Sequence, residues 1–283
     1  MRSIKLVIAL YIVAMVWALS SDARVMRPSH RHVTMTTTAT TTTTTQPSWT
    51  DPNKYTALWE FETTNTVATL DTSGNTFHAT NYPSVATGPT WVIAGTNQNG
   101  RSEYCYSFDG SSDAFFAERS IPLLQIYPQT TAFVVGFWVW KSGNVVNYSR
   151  YLTQDGGGRD QWYVRDYAGN DIQFVTYDGG NIRNSYTSGG WLTTGVWHFV
   201  SCFAGATNQT IFVDASNSLQ IGGNILDLQI FDTVWIASSS VPDYHPAVKL
   251  DHVFFLYTNT WTQVNHTNLM AYTCPTNNTR SRP

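Results

Sequence analysis

The chain has 283 residues and a net charge of −3, and its 14 Phe, 15 Tyr and 11 Trp stand against only 16 basic and 19 acidic residues. That aromatic content supplies a core for one large β domain. The few lysines, with no clustered basic stripe, argue against a nucleic-acid partner.

Arg2 and Lys5, an apolar run from Ile4 to Leu19 and small residues through Ala23 have the three-part layout of a secretory signal, residues 1–23. Cleavage is expected after Ser20 or Ala23. The alternative is an uncleaved anchor, because the run is just short of the ~18 residues of a spanning helix, and only then would the chain be membrane-tethered. Residues 24–48 follow, and ten of the twelve from Thr34 to Thr45 are Thr. So little apolar surface cannot offset ordering entropy, so a disordered stalk open to O-linked sugars is expected. One β domain is expected over 49–275, then a short tail, 276–283. The sequons at Asn147, Asn208, Asn265 and Asn277 agree with a secreted or cell-surface protein.

Within the domain, β-branched and aromatic runs bounded by Gly, Asn, Asp and Ser predict strands. They fall at 56–62, 103–109, 113–117, 131–140, 150–153, 161–166, 171–177, 196–203, 209–214, 225–231 and 248–257. Turn residues separate them, including Asp109-Gly110, Asp155 to Gly158, Ala168-Gly169-Asn170 and Asp178 to Asn181. A short helix is predicted after Trp261, with Thr262 as its cap and Val264, Leu269 and Met270 packing inward.

Six phrases stand in order: Ala57 to Glu62, Leu70 to Asn75, Tyr106 to Gly110, Phe133 to Trp140, Val196 to Val200, and Leu250 to Tyr257 with Trp261-Thr262. In that order the chain resembles the laminin G-like and concanavalin A-like jelly rolls. The resemblance implies an all-β, two-sheet antiparallel jelly-roll sandwich with a short C-terminal helix. It also implies a binding or adhesion module whose partner is a glycan or an extracellular protein, and makes Trp197 a core anchor. In this family Gly follows the phrase Ile211 to Asp214, whereas here Ala215 stands; the stretch 231–247 has no counterpart. Many such folds hold calcium with rim oxygens, and Asp71, Asn75 and Asp251 are the matching positions.

Catalysis has thin support. Glycosidases on this scaffold resemble one another in a Glu-x-Asp-x-x-Glu strand, but the four Glu here, Glu60, Glu62, Glu103 and Glu118, do not have that spacing. Glu60 and Glu62 share one strand face and read as edge charges around a core Phe61. The stretch Thr153 to Trp162 reads as a Gly-rich hairpin. No Gly-x-Ser-x-Gly elbow and no histidine pair at metal spacing occur, and His198 reads as structural.

Three cysteines allow one bridge in any of three pairings. Strand alternation places Tyr104, Tyr106 and Phe108 on the core face and turns Cys105 outward, within reach of the tail. The first choice is therefore Cys105 with Cys274, leaving Cys202 a buried thiol. The expected function is non-catalytic binding or adhesion; the alternatives are a structural coat or matrix component and, less supported, a glycan hydrolase.

Overall fold

A computed structural model describes residues 55–62, 68–82, 88–96, 102–117, 132–143, 148–156, 159–168, 170–178, 181–205, 207–221, 233–238 and 244–273. The chain divides into Met1–Thr45 and Gln46–Pro283. The signal, the Thr tract, the 225–231 strand, the tail, Glu118, Asn147, Cys274 and Asn277 all lie outside the described residues.

The strands in chain order begin with β1 (Ala57–Trp59), β2 (Ala68–Thr69), β3 (Ala79–Tyr82), β4 (Thr90–Thr96), β5 (Ser102–Ser107) and β6 (Ala114–Ala117). They continue with β7 (Phe133–Lys141), β8 (Arg150–Gly156), β9 (Arg159–Tyr167), β10 (Asp171–Asp178) and β11 (Asn181–Tyr186). Last come β12 (Trp197–Ala204), β13 (Asn208–Val213), β14 (Ser216–Ile221), β15 (Thr233–Ile236), β16 (Val248–Tyr257) and a helix, α1 (Gln263–Thr273).

These make two antiparallel sheets. Sheet 1 runs β14-β13-β12-β7-β16-β5-β4, with β1 also on β16, and sheet 2 runs β11-β10-β9-β8-β15-β6-β3-β2. The all-β sandwich with a short C-terminal helix is thus observed. A bulge in β16 between Asp251 and Phe254, where His252 takes φ 45°, marks the change of partner: β5 pairs with Lys249 and Leu250, β1 with Val253 to Phe255.

Alternation sorts the strand residues into layers. Phe133, Val135, Phe137 and Val139 of β7 meet Trp162, Val164, Ile172 and Phe174 of sheet 2 in the core between the sheets. The opposite face of sheet 1 carries a second buried cluster, with Val134, Trp138, Trp197, Phe199 and Phe254 under Trp261 and Leu269. Trp197 is therefore buried, but beneath α1 and not between the sheets. Gly136 is fixed by this layer, since a Cβ there would sit 2.5 Å from the Phe254 ring.

Thr262 caps α1 as expected: its Oγ1 accepts from Asn265 N at 3.3 Å, and its own N donates to Asn265 Oδ1 at 3.0 Å. Leu269 and Met270 pack inward as expected, and Val264 does not. His266, Leu269 and Thr273, at helical spacing, are the buried residues, and Val264 is 66% exposed. The turn after β13 stays tight without glycine, because Val213 pairs with Ser216 and Asp214 itself takes φ 51°. Its carboxylate is fixed by His198 Nδ1 at 2.8 Å and by Phe199 N at 3.0 Å, so His198 is structural. The stretch 231–247, unassigned by sequence, contributes β15 to the middle of sheet 2.

Candidate functional site

The two outer faces of the sandwich differ. On the outer side of sheet 1 a buried apolar layer packs on α1, while sheet 2 carries on its outer side a layer of aromatic, guanidinium and carboxamide side chains, most of them buried. Trp162, Val164, Phe174, Val234 and Ile236 belong to the inner core, so their strand neighbours point away from it. Register aligns those neighbours in two rows. One row is Phe116, Trp235, Thr153, Tyr163, Val175 and Asn184, crossing β6, β15, β8, β9, β10 and β11. The other is Arg150, Arg165, Gln173 and Tyr186 from β8 to β11.

Arginines and tyrosines alternate across these rows. The Arg165 guanidinium lies 4.5 Å from the Tyr148 ring centre and 4.9 Å from that of Tyr163; Arg150 lies 4.5 Å from Tyr163 and 4.8 Å from Tyr244. Each contact of this type contributes on the order of 0.5–2 kcal/mol according to its exposure. Arg165 Nε donates to Gln173 Oε1 at 2.5 Å, and Gln173 Nε2 donates to Asn184 Oδ1 at 3.2 Å. Tyr167 stacks on Tyr186 with ring centres 5.8 Å apart, and Tyr148 meets Tyr167 edge-on at 6.1 Å. Burial pushes the Tyr163 phenol above its ordinary value, helped by its hydroxyl contact with Tyr177. At the other end Tyr82, Phe116 and Trp235 form a second aromatic group.

Two further properties distinguish the face. Tyr82, Tyr148, Ile182 and Tyr186 are each 41–55% exposed, so rings and an apolar side chain project into solvent around the buried rows. Thr153 Oγ1 and Trp235 Nε1, neighbours across the β8 and β15 register, are buried and have no hydrogen-bond partner among the described residues.

The residues nominated from sequence are placed elsewhere. Asp71 is a buried turn carboxylate: Oδ1 accepts from Leu58 N at 2.8 Å and Ser73 N at 2.9 Å, Oδ2 from Ser73 Oγ at 2.8 Å and Phe77 N at 2.9 Å. Asn75 turns its amide nitrogen to the Tyr55 and Thr56 carbonyls, each at 3.1 Å. Asp251 lies on β16, where its charge acts on Cys105 and its Oδ1 accepts from His252 N at 2.7 Å. Four donors already bond the Asp71 carboxylate and the Asn75 amide nitrogen faces two backbone carbonyls, so the turn is held by its own hydrogen bonds. Among the described residues no three His, Cys, Asp or Glu side chains gather as metal ligands.

Glu60 accepts from Thr72 Oγ1 at 2.8 Å, Glu62 is exposed, and Phe61 between them is in the core. Cys105 faces away from the inner core, as expected, yet is fully buried in the layer under α1. Cys202 faces the inner core, so the two cysteines lie on opposite faces of sheet 1. Asn208 opens β13 with its amide 3.4 Å from Thr210 Oγ1, and Asn265 serves the helix cap.

No protein-family model and no curated protein matches the sequence. Solved structures share the fold. The binding domain of Paraclostridial Mosquitocidal Protein 1 superposes with a TM-score of 0.59 at 12% identity over 77% of this chain and 52% of that one. A structure of botulinum neurotoxin type C, whose cell entry depends on interaction with two ganglioside molecules, gives 0.56 at 12% identity over 80% and 52%. Domain 4 of AbnA, an extracellular arabinanase from Geobacillus stearothermophilus in complex with arabinotriose, gives 0.50 at 13% identity over 76% and 98%. The chain thus spans about half the length of the two toxin structures. At these identities the likeness is one of fold.

Proposed function

We propose that this chain is a laminin G-like recognition module, secreted or displayed at the cell surface, that holds a glycan on the outer face of sheet 2 without acting on it chemically. One observation carries the reading: on the outer side of sheet 2 Tyr148, Ile182 and Tyr186 project into solvent beside the half-buried Arg165, whereas the outer side of sheet 1 carries a buried apolar layer that packs on α1. Sugars present flat C–H faces that pack on aromatic rings and hydroxyls that need fixed donors and acceptors, and this face offers both. That AbnA domain 4 carries arabinotriose, and that type C toxin entry involves gangliosides, agrees with a saccharide ligand for this scaffold.

A glycan array probed with the full chain tests the reading. Retention of a defined saccharide set supports it. Self-assembly with no saccharide retained favours a coat or matrix role, and release of reducing sugar favours a hydrolase.

A further inference from the structure

Arg165 occupies the middle of its row, opposite Arg150 on β8 and Gln173 on β10. A guanidinium stays charged at any physiological pH and presents five N–H donors in one rigid plane. At Arg165 that plane is held on three sides. Its Nε bond to Gln173 at 2.5 Å uses one donor, and Gln173 is anchored in turn by Asn184 at 3.2 Å. The Tyr148 and Tyr163 rings lie against it at 4.5 and 4.9 Å. Among the described residues no carboxylate pairs with it, in contrast to Lys141 and His198, which each meet an Asp.

The terminal nitrogens, carrying the remaining N–H donors, are therefore fixed in direction and left for an outside acceptor. Two parallel N–H donors match a carboxylate in both spacing and charge. The position is only half-buried, so a ligand reaches it from solvent. Tyr148, at 44% exposure, borders it directly, and Tyr186, at 51%, lies across Gln173 in the same row. Arg150, 5% exposed with the Tyr163 and Tyr244 rings against it, lies too deep to serve the same role, so the fork of Arg165 is the one offered to a ligand among the described residues.

We propose that the outer face of sheet 2 selects saccharides bearing a carboxylate, with Arg165 reading the carboxylate and Tyr148 and Tyr186 packing against the adjoining sugar. This rests on the saccharide reading above and narrows it to acidic sugars. A neutral sugar meets the same rings but leaves the fork without its charged acceptor. A lysine at 165 keeps the charge but loses the planar pair of donors.

The experiment compares acidic and neutral forms of one sugar on the unaltered full chain by titration calorimetry: sialyllactose against lactose, and tetragalacturonate against its carboxyl-reduced form. The expected result is at least tenfold tighter binding of one acidic form than of its neutral partner, weakening as salt rises toward 1 M. Arg165→Gln should remove that preference, and Arg165→Lys should keep only part of it. The comparison of sugars needs no variant, so it decides the matter even if a substitution on β9 impairs folding. Equal affinity for acidic and neutral forms overturns the inference, as does saccharide binding on the array confined to neutral glycans, and both leave the saccharide reading intact. Absence of binding to any saccharide overturns that reading and this inference with it.

Discussion

Lys141 Nζ lies 2.7 Å from Asp166 Oδ1 with side-chain exposures of 1% and 3%, so a buried ion pair ties the end of β7 in sheet 1 to β9 in sheet 2. Tyr151 donates its hydroxyl to the same carboxylate oxygen at 2.8 Å, and Asn170 Oδ1 accepts from the ammonium at 2.9 Å. Removing one partner strands the other charge in the core. Lys141→Ala should therefore cost about 3–5 kcal/mol by urea denaturation, and the double change Lys141→Met with Asp166→Leu should cost less than either single loss. A loss below about 1 kcal/mol for Lys141→Ala would mean that water reaches Asp166.

Trp138 is 3% exposed, packs on Phe199 at 5.1 Å and donates its indole N–H to Thr273 Oγ1 at 2.9 Å. Trp138→Ala should destabilise the protein by about 3–5 kcal/mol, the range for a buried aromatic. Because the indole contacts the last residue of α1, proteolysis near the C-terminus should also accelerate in this variant. Unchanged proteolysis would contradict the docking of α1 on sheet 1.

Two buried histidines, His266 on the inner face of α1 and His252 on β16, are held by burial below their ordinary value of 6.5: His266 at about 4 and His252 at about 3. Ser201 Oγ accepts from Trp261 Nε1 at 2.9 Å and meets His266 Nδ1 at 2.8 Å, an arrangement suited to a neutral ring. The nearby Asp214 favours protonation of His266 but is outweighed by burial. Since the folded ring is harder to protonate than the unfolded one, the His266 contribution is complete above pH 6.5 and is lost as pH falls through about 4. The loss should reach about 3 kcal/mol for His266. Thermal melting between pH 7 and 4 should show the decline, and His266→Phe should flatten it; an unchanged slope in that variant would contradict the assignment.

Asp71 holds three backbone N–H groups, those of Leu58, Ser73 and Phe77. Asp71→Ala should cost about 3 kcal/mol or more, since buried donors left unpaired each cost ~1–3 kcal/mol. With its oxygens taken, millimolar calcium added after chelation should leave the melting temperature unchanged. A calcium-dependent rise abolished by Asp71→Ala would restore the Asp71, Asn75 and Asp251 site.

Much of the fold was legible because long strands carry both periodicity and apolar content. The predicted 248–257 strand matches β16, and β7, β8, β9, β10, β12 and β13 fall where β-branched and aromatic runs lie. The strands missed, β2, β3, β4, β11, β14 and β15, are mostly short or rich in Asn, Ser and Thr, and they form through pairing with neighbours more than through their own pattern. The face of sheet 2 was hidden for another reason. Which aromatics point outward depends on register, and a one-residue slip would exchange the faces. Only pairing across six strands shows that Tyr163, Arg165 and Trp235 belong together.

The cysteines offer a chemical test of the layering. Burial raises the Cys202 thiol well above its ordinary value, and would hold an unbridged Cys105 thiol at about 12, so neither residue should react with thiol reagents in the native protein. We propose the Cys105 to Cys274 bridge as well, because Cys274 follows Thr273, whose hydroxyl bonds Trp138 in the layer that holds Cys105. Mass mapping of unreduced protein should find that pair, with Cys202 labelled only after unfolding. A bridge to Cys202 would contradict the opposed faces.

The central claim is that the outer face of sheet 2 binds saccharide, and ligand-observed NMR of the full chain with a saccharide retained on the array tests it most directly. Tyr148→Ala with Tyr186→Ala, at exposed positions whose loss should leave the melting temperature within a few degrees, should weaken binding at least tenfold. Undiminished binding by that folded double variant would contradict the account.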